Sequence, residues 1–289
     1  MQTAPVGLVG LGLMGTALAR RLLDAGFAVR GFDIDAAKRA SFAALGGTEA
    51  ESIVEIAAAC PIVVLAVFST EQVEQVVEEL IGGATHIVIC TSTCDPDRIA
   101  ALTARAAERG LAVLEVPVSG TSAQVAVGQG VGLAAGDPAA VDAAANVLDA
   151  LFPRRFFLGA AGNGGRAKLA INLILGLNRA AIAEGVAFAE RLGLDRESFL
   201  AVAKGSAAHS QVMDVKGGFW AADRFEPPMS RVDQSLKDFR LMLEMAERAG
   251  MRLPFASLYA DLMGDCMAHG EAAMDNAIIV NAIRRRGVA

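Results

Sequence analysis

The stretch Val6-Gly-Leu-Val-Gly10-Leu-Gly12-Leu-Met-Gly15 decides the fold. It opens with a short run suited to a buried strand and passes through Gly-x-Gly-x-x-Gly into a helical pattern. Glycines at this spacing allow a tight turn, let the backbone approach a pyrophosphate, and let the helix pack closely on the strand. The N-terminus of the helix then faces the anion. The stretch predicts the strand, turn and helix that open a dinucleotide-binding sheet, and the alternative is a packing turn without a nucleotide.

A carboxylate after the next strand pattern supports the nucleotide. Asp33 directly follows the run Val29–Phe32, at the distance from the turn where such sheets place a ribose-binding acid. A carboxylate accepts hydrogen bonds from a free 2′-hydroxyl and repels a 2′-phosphate, so we expect NAD, with NADP as second choice. Lys38 and Arg39 follow closely, and we expect them on a solvated helix face. The candidate cofactor residues of the turn are Gly10, Leu11, Gly12, Leu13, Met14 and Gly15.

Length and composition exclude several classes of protein. The chain has 289 residues, enough for about two domains, and 54% hydrophobic with 20% charged residues is typical of a globule with a large core. The net charge of −6 argues against nucleic acid as a partner. The four cysteines lack a C-x-x-C pair and the three histidines stand far apart, so we predict no metal site and read the cysteines as reduced, buried thiols.

The order of apolar patterns predicts two different domains. Up to Leu158, short β-branched runs alternate with amphipathic helical segments, which specifies a doubly wound parallel sheet. After Gly159 the strand signal ends, and a glycine-rich stretch leads into a helical pattern over Arg166–Arg191 of about 39 Å. Further helical patterns follow, punctuated by glycines that include Gly217-Gly218. We expect an α/β domain over 1–161 and an all-helical domain over 162–289, joined by the long helix.

The long helical pattern does not predict a membrane span. Its most apolar part carries Asn172, Asn178, Arg179 and Glu184, which a bilayer centre penalises. The apolar residues near the N-terminus lack the preceding basic residues of a signal peptide, and glycines interrupt them. The sequence therefore predicts a cytoplasmic protein.

Three further segments carry groups suited to chemistry. Ser119-Gly120-Thr121 follows a strand pattern and offers backbone N–H groups and hydroxyls to a small carboxylate, although an ordinary turn is the alternative. Lys168 and Asn172 are spaced i, i+4 on one face of an apolar helix. A lysine there either extends to water or lies in a functional site. Lys237-Asp238 lies in a helical pattern, where an exposed ion pair is the default expectation.

These segments, in this order, resemble the β-hydroxyacid dehydrogenase family over nearly the whole chain. The motifs that carry the resemblance are G-L-G-x-M-G at Gly10–Gly15, Ser92-Thr93 with Pro96, P-V-S-G at Pro117–Gly120, the glycine-to-asparagine segment Gly162–Asn172, and Lys237-Asp238. The resemblance implies an N-terminal Rossmann domain that binds NAD and a helical C-terminal domain. It implies that Lys168 transfers the proton. By the same resemblance Ser119, Gly120, Thr121 and Asn172 hold the substrate, and Val67, Phe68, Thr93 and Lys237 contact the cofactor.

Departures from the family pattern bear on the substrate. The usual S-G-G is Ser119-Gly120-Thr121, the leucine-proline pair is Val67-Phe68, and the asparagine before Asn172 is Ile171. These changes are closer to the branch that acts on four-carbon sugar acids than to the hydroxyisobutyrate branch. The expected reaction is hydride transfer between NAD and a small 3-hydroxy acid, in a homodimer or homotetramer. The alternatives are an imine reductase, whose similar chains typically lack this lysine, and a nucleotide-binding interaction module without catalysis.

Overall fold

The chain forms two compact units, which are described separately. The computed structural model describes residues 4–287. The first unit extends to Lys168 and the second begins at Leu169. The boundary falls inside one long helix, Asn163–Arg191.

A six-stranded parallel sheet forms the centre of the first unit. Its order is β3-β2-β1-β4-β5-β6, which is the arrangement of a doubly wound dinucleotide-binding sheet, with the reversal of strand order between β1 and β4. The sequence prediction of this sheet is confirmed. The strands are β1 Val6–Val9, β2 Val29–Phe32, β3 Thr48–Glu49, β4 Ile62–Leu65, β5 Ile87–Cys90 and β6 Ala112–Glu115.

Apolar side chains cover both faces of this sheet because successive strand residues point to opposite sides. Leu8 belongs to one core and its neighbour Val9 to the other, and Val64 and Val63 divide in the same way. Two helical layers bury these faces. The helices of the first unit are α1 Leu13–Asp24, α2 Ala36–Ala44, α3 Ile53–Ala59, α4 Thr70–Leu80, α5 Pro96–Ala107, α6 Ser122–Ala126, α7 Pro138–Ala143 and α8 Ala145–Leu151.

A second, three-stranded sheet continues the first unit. It consists of β7 Val118–Ser119, β8 Val131–Ala134 and β9 Arg154–Phe157, with β7 antiparallel and β9 parallel to β8. An antiparallel bridge between Glu115 and Ala135 links it to the end of β6. The sequence patterns did not predict β3 and β7, since two residues are too few to show a period.

Helices make up the second unit, as the loss of strand pattern predicted, and no strand follows Phe157 in the described part of the chain. Its core contains Trp220, Phe239 and Tyr259, and the last two rings stack with centroids 4.0 Å apart. The helices are α9 Asn163–Arg191, α10 Arg196–Lys204, α11 Gln211–Ala222, α12 Val232–Arg248, α13 Pro254–Ala268 and α14 Ile279–Arg286, with a 3₁₀ turn at Asn276–Ile278.

One helix of this unit was missed because of its glycines. Gly217-Gly218 was expected to break a helix, but both residues lie inside α11. Glycine weakens an isolated helix by about 1 kcal/mol relative to alanine, and tertiary packing overrides that preference here. A Cβ on Gly217 would lie 3.3 Å from Cε of Lys204, so α10 and α11 pack closely at this point.

Helix α9 is long and apolar enough to cross a membrane by length and composition alone. Its buried Arg179, however, donates hydrogen bonds to the hydroxyls of Tyr259 and Ser235 on neighbouring helices. Such hydrogen bonds between side chains of neighbouring helices are typical of a helix packed inside a folded protein.

Candidate active site

The glycine turn between β1 and α1 is shaped by close backbone contacts. Gly10 has φ +94°, in the region that favours glycine, and a Cβ on it would overlap the carbonyl oxygen of Ala66. A Cβ on Gly15 would overlap the carbonyl oxygen of Gly10, so this glycine lets α1 approach the turn. A Cβ on Gly12 meets no atom within 4 Å. Gly12 therefore opens space beside the turn, at the N-terminus of α1.

The N-terminus of α1 is suited to an anion. Gly12 is the N-cap residue of α1. Within the described residues no side-chain hydrogen bond caps this helix, and its first turn holds no acidic residue. The first N–H groups of such a helix can bind phosphate oxygens. The residues present therefore fit the pyrophosphate of a dinucleotide.

Asp33, which follows β2, connects this strand to the glycine turn through a hydrogen bond. It is buried, its Oδ2 accepts the N–H of Leu11 at 2.8 Å, and its Oδ1 accepts the N–H of Asp35 at 2.9 Å. Nζ of Lys38 lies 3.6 Å from Oδ1, and Arg39 donates to the Asp33 carbonyl oxygen at 2.7 Å. The two basic residues thus lie beside Asp33, and the side chain of Arg39 is half-buried where we expected a solvated one.

The loops after β4 and β5 are bound to each other at the same edge of the sheet. Hydroxyls of Thr91 and Ser92 donate to the carbonyl oxygens of Leu65 and Val67, each at 2.7 Å. Phe68 is half-exposed, and its N–H donates to Gln72 at 2.8 Å. Because the carboxyl ends of parallel strands share one edge, the predicted cofactor residues Val67, Phe68 and Thr93 lie at the edge that carries the glycine turn and Asp33.

The Ser119–Thr121 segment combines a turn with a helix cap. Gly120 has φ +135° between the end of β7 and the start of α6. Thr121 caps α6: its Oγ1 accepts the N–H of Gln124 at 3.3 Å, and its own N–H donates to Oε1 of Gln124 at 2.9 Å. The cap occupies the polar groups of Thr121, which leaves the half-buried hydroxyl of Ser119 as the side chain best suited to a ligand in this segment.

Lys168 lies near the start of α9, and a buried carboxylate holds that start in place. Oε2 of Glu115 accepts the N–H groups of Gly162 at 2.8 Å and Gly164 at 3.1 Å. Oε1 accepts the N–H of Gly165 at 2.8 Å. Glu115 ends β6 and is 1% exposed, and Lys168 is 8% exposed. Of the two alternatives that the sequence left for Lys168, its burial contradicts extension into water.

Asn172 follows Lys168 by one helical turn and belongs to the second unit. Its Nδ2 donates to Oδ2 of Asp238 at 2.9 Å, which orients the amide. Oδ1 of Asp238 lies 3.0 Å from Nζ of Lys237. The expectation that Lys237 and Asp238 form an exposed pair is wrong, because Asp238 is buried and Lys237 largely so. Asp238 reaches Asn172 because it lies on the buried side of α12.

Sequence patterns missed three residues of this region, two of them polar and one apolar. Glu115 gave no signal, because its partners are backbone N–H groups distant in the chain. Asp238 was recognised as a charge and not as the partner of Asn172. Ile34 is 87% exposed directly after Asp33, where an apolar side chain can lie against an adenine ring. An apolar residue following the ribose-binding acid is a pattern that could have identified it.

Two family models together match nearly the whole chain. Residues 5–159 match the NAD binding domain of 6-phosphogluconate dehydrogenase. Residues 162–283 match the NAD-binding domain of NADP-dependent 3-hydroxyisobutyrate dehydrogenase. Both descriptions agree with the predicted nicotinamide cofactor.

Similar proteins also extend over the full length. L-Threonate dehydrogenase from Cupriavidus necator is 31% identical over 95% of this chain and 94% of its own. The crystal structure of 3-hydroxyisobutyrate dehydrogenase from Salmonella typhimurium is 28% identical, covers 96% of this chain and 99% of its own, and has a TM-score of 0.87.

Imine reductases share the fold at lower similarity. The structure of the enzyme from Pseudomonas sp. is 20% identical over 97% of this chain and 99% of its own, with a TM-score of 0.66. This likeness concerns the fold alone.

Proposed function

The chain belongs to the β-hydroxyacid dehydrogenase family, and we propose that Lys168 is the general acid and base in its hydride transfer between NAD(H) and a small 3-hydroxy acid. The observation that carries this proposal is the burial of Lys168 near the start of α9, one helical turn before Asn172. A buried amine one helical turn from a polar amide is suited to proton exchange with a bound hydroxyl.

Each residue has a separate task in the proposed reaction. The nicotinamide ring, when bound, supplies or accepts the hydride. Lys168 takes the proton of the substrate hydroxyl during oxidation and returns it during reduction. Ser119 and Gly120 hold the substrate carboxylate. Asn172, oriented by Asp238, presents its amide to a substrate hydroxyl. The product of oxidation is a 3-oxo acid or a semialdehyde.

The proposed cofactor site uses the glycine turn, Asp33 and the loops at the same sheet edge. The N-terminus of α1 would hold the pyrophosphate, and Asp33 would accept hydrogen bonds from the ribose hydroxyls. Val67, Phe68 and Thr93 would line the nicotinamide half, and the family pattern assigns Lys237 to the cofactor as well. We propose domains over 1–161 and 162–289, which the limits of the two family matches support.

Asp33→Ser should weaken NAD binding by about 1–3 kcal/mol, because it removes charged hydrogen bonds to the ribose. It should weaken NADP binding less, or strengthen it, since Lys38 and Arg39 remain beside the position of a 2′-phosphate. Titration of both cofactors by intrinsic fluorescence measures the two affinities. Asp35→Ser is the matched control, because Asp35 is exposed and caps α2 at Ala37. Wild-type protein that prefers NADP, or unchanged NAD affinity in Asp33→Ser, contradicts this assignment.

Ser119→Ala should raise KM for the acid by about 10- to 100-fold and leave KM for NAD unchanged, because a hydrogen bond to a charged group contributes about 1.5–3 kcal/mol. Steady-state kinetics with each substrate varied in turn measures the effect. The methyl ester of the same acid should be a poor substrate of wild type. Ser41→Ala, at an exposed position of α2, serves as the control. Equal turnover of acid and ester would show that the segment does not hold a carboxylate.

A panel of substrates tests the reaction as a whole. We place four-carbon sugar acids first in that panel, supported by the similarity to L-threonate dehydrogenase and by the Ser119-Gly120-Thr121 segment. Hydroxyisobutyrate, glycerate, serine and a cyclic imine complete it. The absorbance of the reduced nicotinamide, followed with NAD and with NADP, reports turnover. Reduction of the imine without oxidation of any acid would favour the imine reductase alternative.

We propose a cytoplasmic homodimer or homotetramer. Exposed apolar side chains on α9, among them Ile174 and Phe188, support association of subunits through the second unit. Light scattering of the purified chain measures its assembly.

A further inference from the structure

The glycine-rich start of α9 binds the side-chain carboxylate of Glu115 through backbone N–H groups. A helix leaves its first backbone N–H groups without intrahelical partners. At α9 the N–H groups of Gly164 and Gly165 donate to Glu115, and the preceding Gly162 does the same. The N–H of Asn163 donates to the carbonyl oxygen of Ala160 at 3.2 Å. The start of the helix is thus fully bonded, mainly through one side chain.

Glycine is required at these positions because the carboxylate lies so close. A Cβ on Gly165 would stand 2.7 Å from Oε1 of Glu115. On Gly164 it would stand 3.0 Å from Oε2 of Glu115 and 2.7 Å from the carbonyl oxygen of Leu133. Gly162 has φ +93°. In the structure these glycines allow three hydrogen bonds to a buried anion.

Lys168 follows Gly165 by less than one helical turn of about 3.6 residues. The direction of its side chain is therefore set by the rotation and position of the first turn of α9. Frayed first turns are the common state of helix ends without caps. A positioned acid or base loses much of its effect when it is displaced by about 1 Å.

We infer that Glu115 is a positioning residue, whose ionised carboxylate fixes the first turn of α9 and thereby holds Lys168 in place for proton transfer. This inference rests on the proposed role of Lys168. Burial raises the pKa of Glu115, and the three glycine N–H groups and Arg166 oppose that rise. The negative charge also lies at the positive end of the helix dipole, where it is favoured.

Glu115→Gln tests the role of the charge with little change of shape. The amide keeps one acceptor oxygen, and its NH₂ group meets at least one backbone N–H, so two donors face each other. We expect kcat to fall by about 10- to 100-fold with NADH affinity within about twofold of wild type. Asp137→Asn is the matched control, because Asp137 caps the exposed α7 through Ala139 and no proposed site residue lies on that helix. Its kcat should equal that of wild type. Wild-type kcat in Glu115→Gln overturns the inference.

A double-mutant cycle separates positioning from a general loss of structure. If Glu115 acts through Lys168, Glu115→Gln should cost less than about threefold in a Lys168→Ala background. Equal losses in both backgrounds show that Glu115 supports the fold alone and overturn the inference. A Lys168→Ala enzyme with wild-type turnover instead refutes the proposed function, so the two failures are distinguishable.

Glu115→Asp completes the set and replaces Glu115→Gln in the cycle if that variant does not fold. It keeps the charge and shortens the reach by one methylene, so we expect a smaller loss of kcat with the same dependence on Lys168. When Glu115→Asp stands in for Glu115→Gln, wild-type kcat in that variant overturns the inference, and so do equal losses of kcat in the wild-type and Lys168→Ala backgrounds.

Discussion

Lys168→Ala should lower kcat by about 10²–10⁴-fold, or about 3–5 kcal/mol in the barrier, because a positioned general acid and base is lost. NADH affinity should stay within about twofold of wild type, since the glycine turn and Asp33 remain. Single-turnover and steady-state kinetics in both directions measure the loss. Lys168 is buried, so Lys168→Met, which keeps an aliphatic chain of similar length, accompanies the alanine variant and limits any cavity.

Lys204→Ala is the control for this prediction. Lys204 ends α10, is exposed, and pairs with Asp214 at 3.9 Å, so its removal should change kcat hardly at all. Thermal unfolding of all three variants checks that the fold is intact. If folded Lys168→Ala retains more than about a tenth of wild-type kcat, another group transfers the proton.

The sheet of the first unit could be predicted because its signal is local. Runs such as Ile62–Leu65 are apolar and β-branched throughout, as expected for strands buried on both faces. The glycine turn and Asp33 were recognisable for the same reason, since their spacing along the chain follows the geometry of one strand, turn and helix. Family membership agrees with that reading.

Contacts between distant parts of the chain could not be predicted. Glu115 accepts hydrogen bonds from glycines that follow it by 47 to 50 residues. Because these donors are backbone N–H groups, no residue type in the sequence indicates the contact. The burial of Lys216 was not predicted because Gly217 and Gly218 were expected to break the helix that carries it. Its partner Asp275 lies 59 residues further along the chain. Asp238 carries a charge that usually faces water, and only the packing of α12 shows that it turns inward.

A buried ion pair lies in the core of the second unit. Nζ of Lys216 donates to Oδ1 and Oδ2 of Asp275 at 2.8 and 2.7 Å, with both residues almost fully buried. Oδ2 of Asp275 also accepts the N–H groups of Met229 and Ser230, and Oδ1 accepts that of Ala277. Asp275 therefore joins α11, the chain before α12 and the 3₁₀ turn.

Replacement of Asp275 by alanine should lower the free energy of unfolding by about 3–5 kcal/mol, because it leaves the Lys216 ammonium buried without its counter-charge. Lys216→Met should cost less, since three backbone N–H groups still neutralise part of the charge of Asp275. Denaturant unfolding measures both. Glu78→Ala removes the exposed pair with Arg109 and should cost less than about 1 kcal/mol. Similar losses in Asp275→Ala and Glu78→Ala would contradict the prediction.

The pH dependence of unfolding gives this pair a second signature. Burial lowers the pKa of Lys216 from 10.5 to about 8, against the attraction of Asp275 and with a contribution from nearby Arg179. The unfolded chain therefore binds this proton more tightly than the folded chain between pH 8 and 10.5. Over that window Lys216 makes the free energy of unfolding rise with pH, and Lys216→Met should remove that rise. The difference between wild type and Lys216→Met, measured at several pH values, isolates this one group from the other titrating residues. A difference that is constant from neutral pH through this window would mean that Lys216 titrates alike in both states and that its burial carries no electrostatic cost.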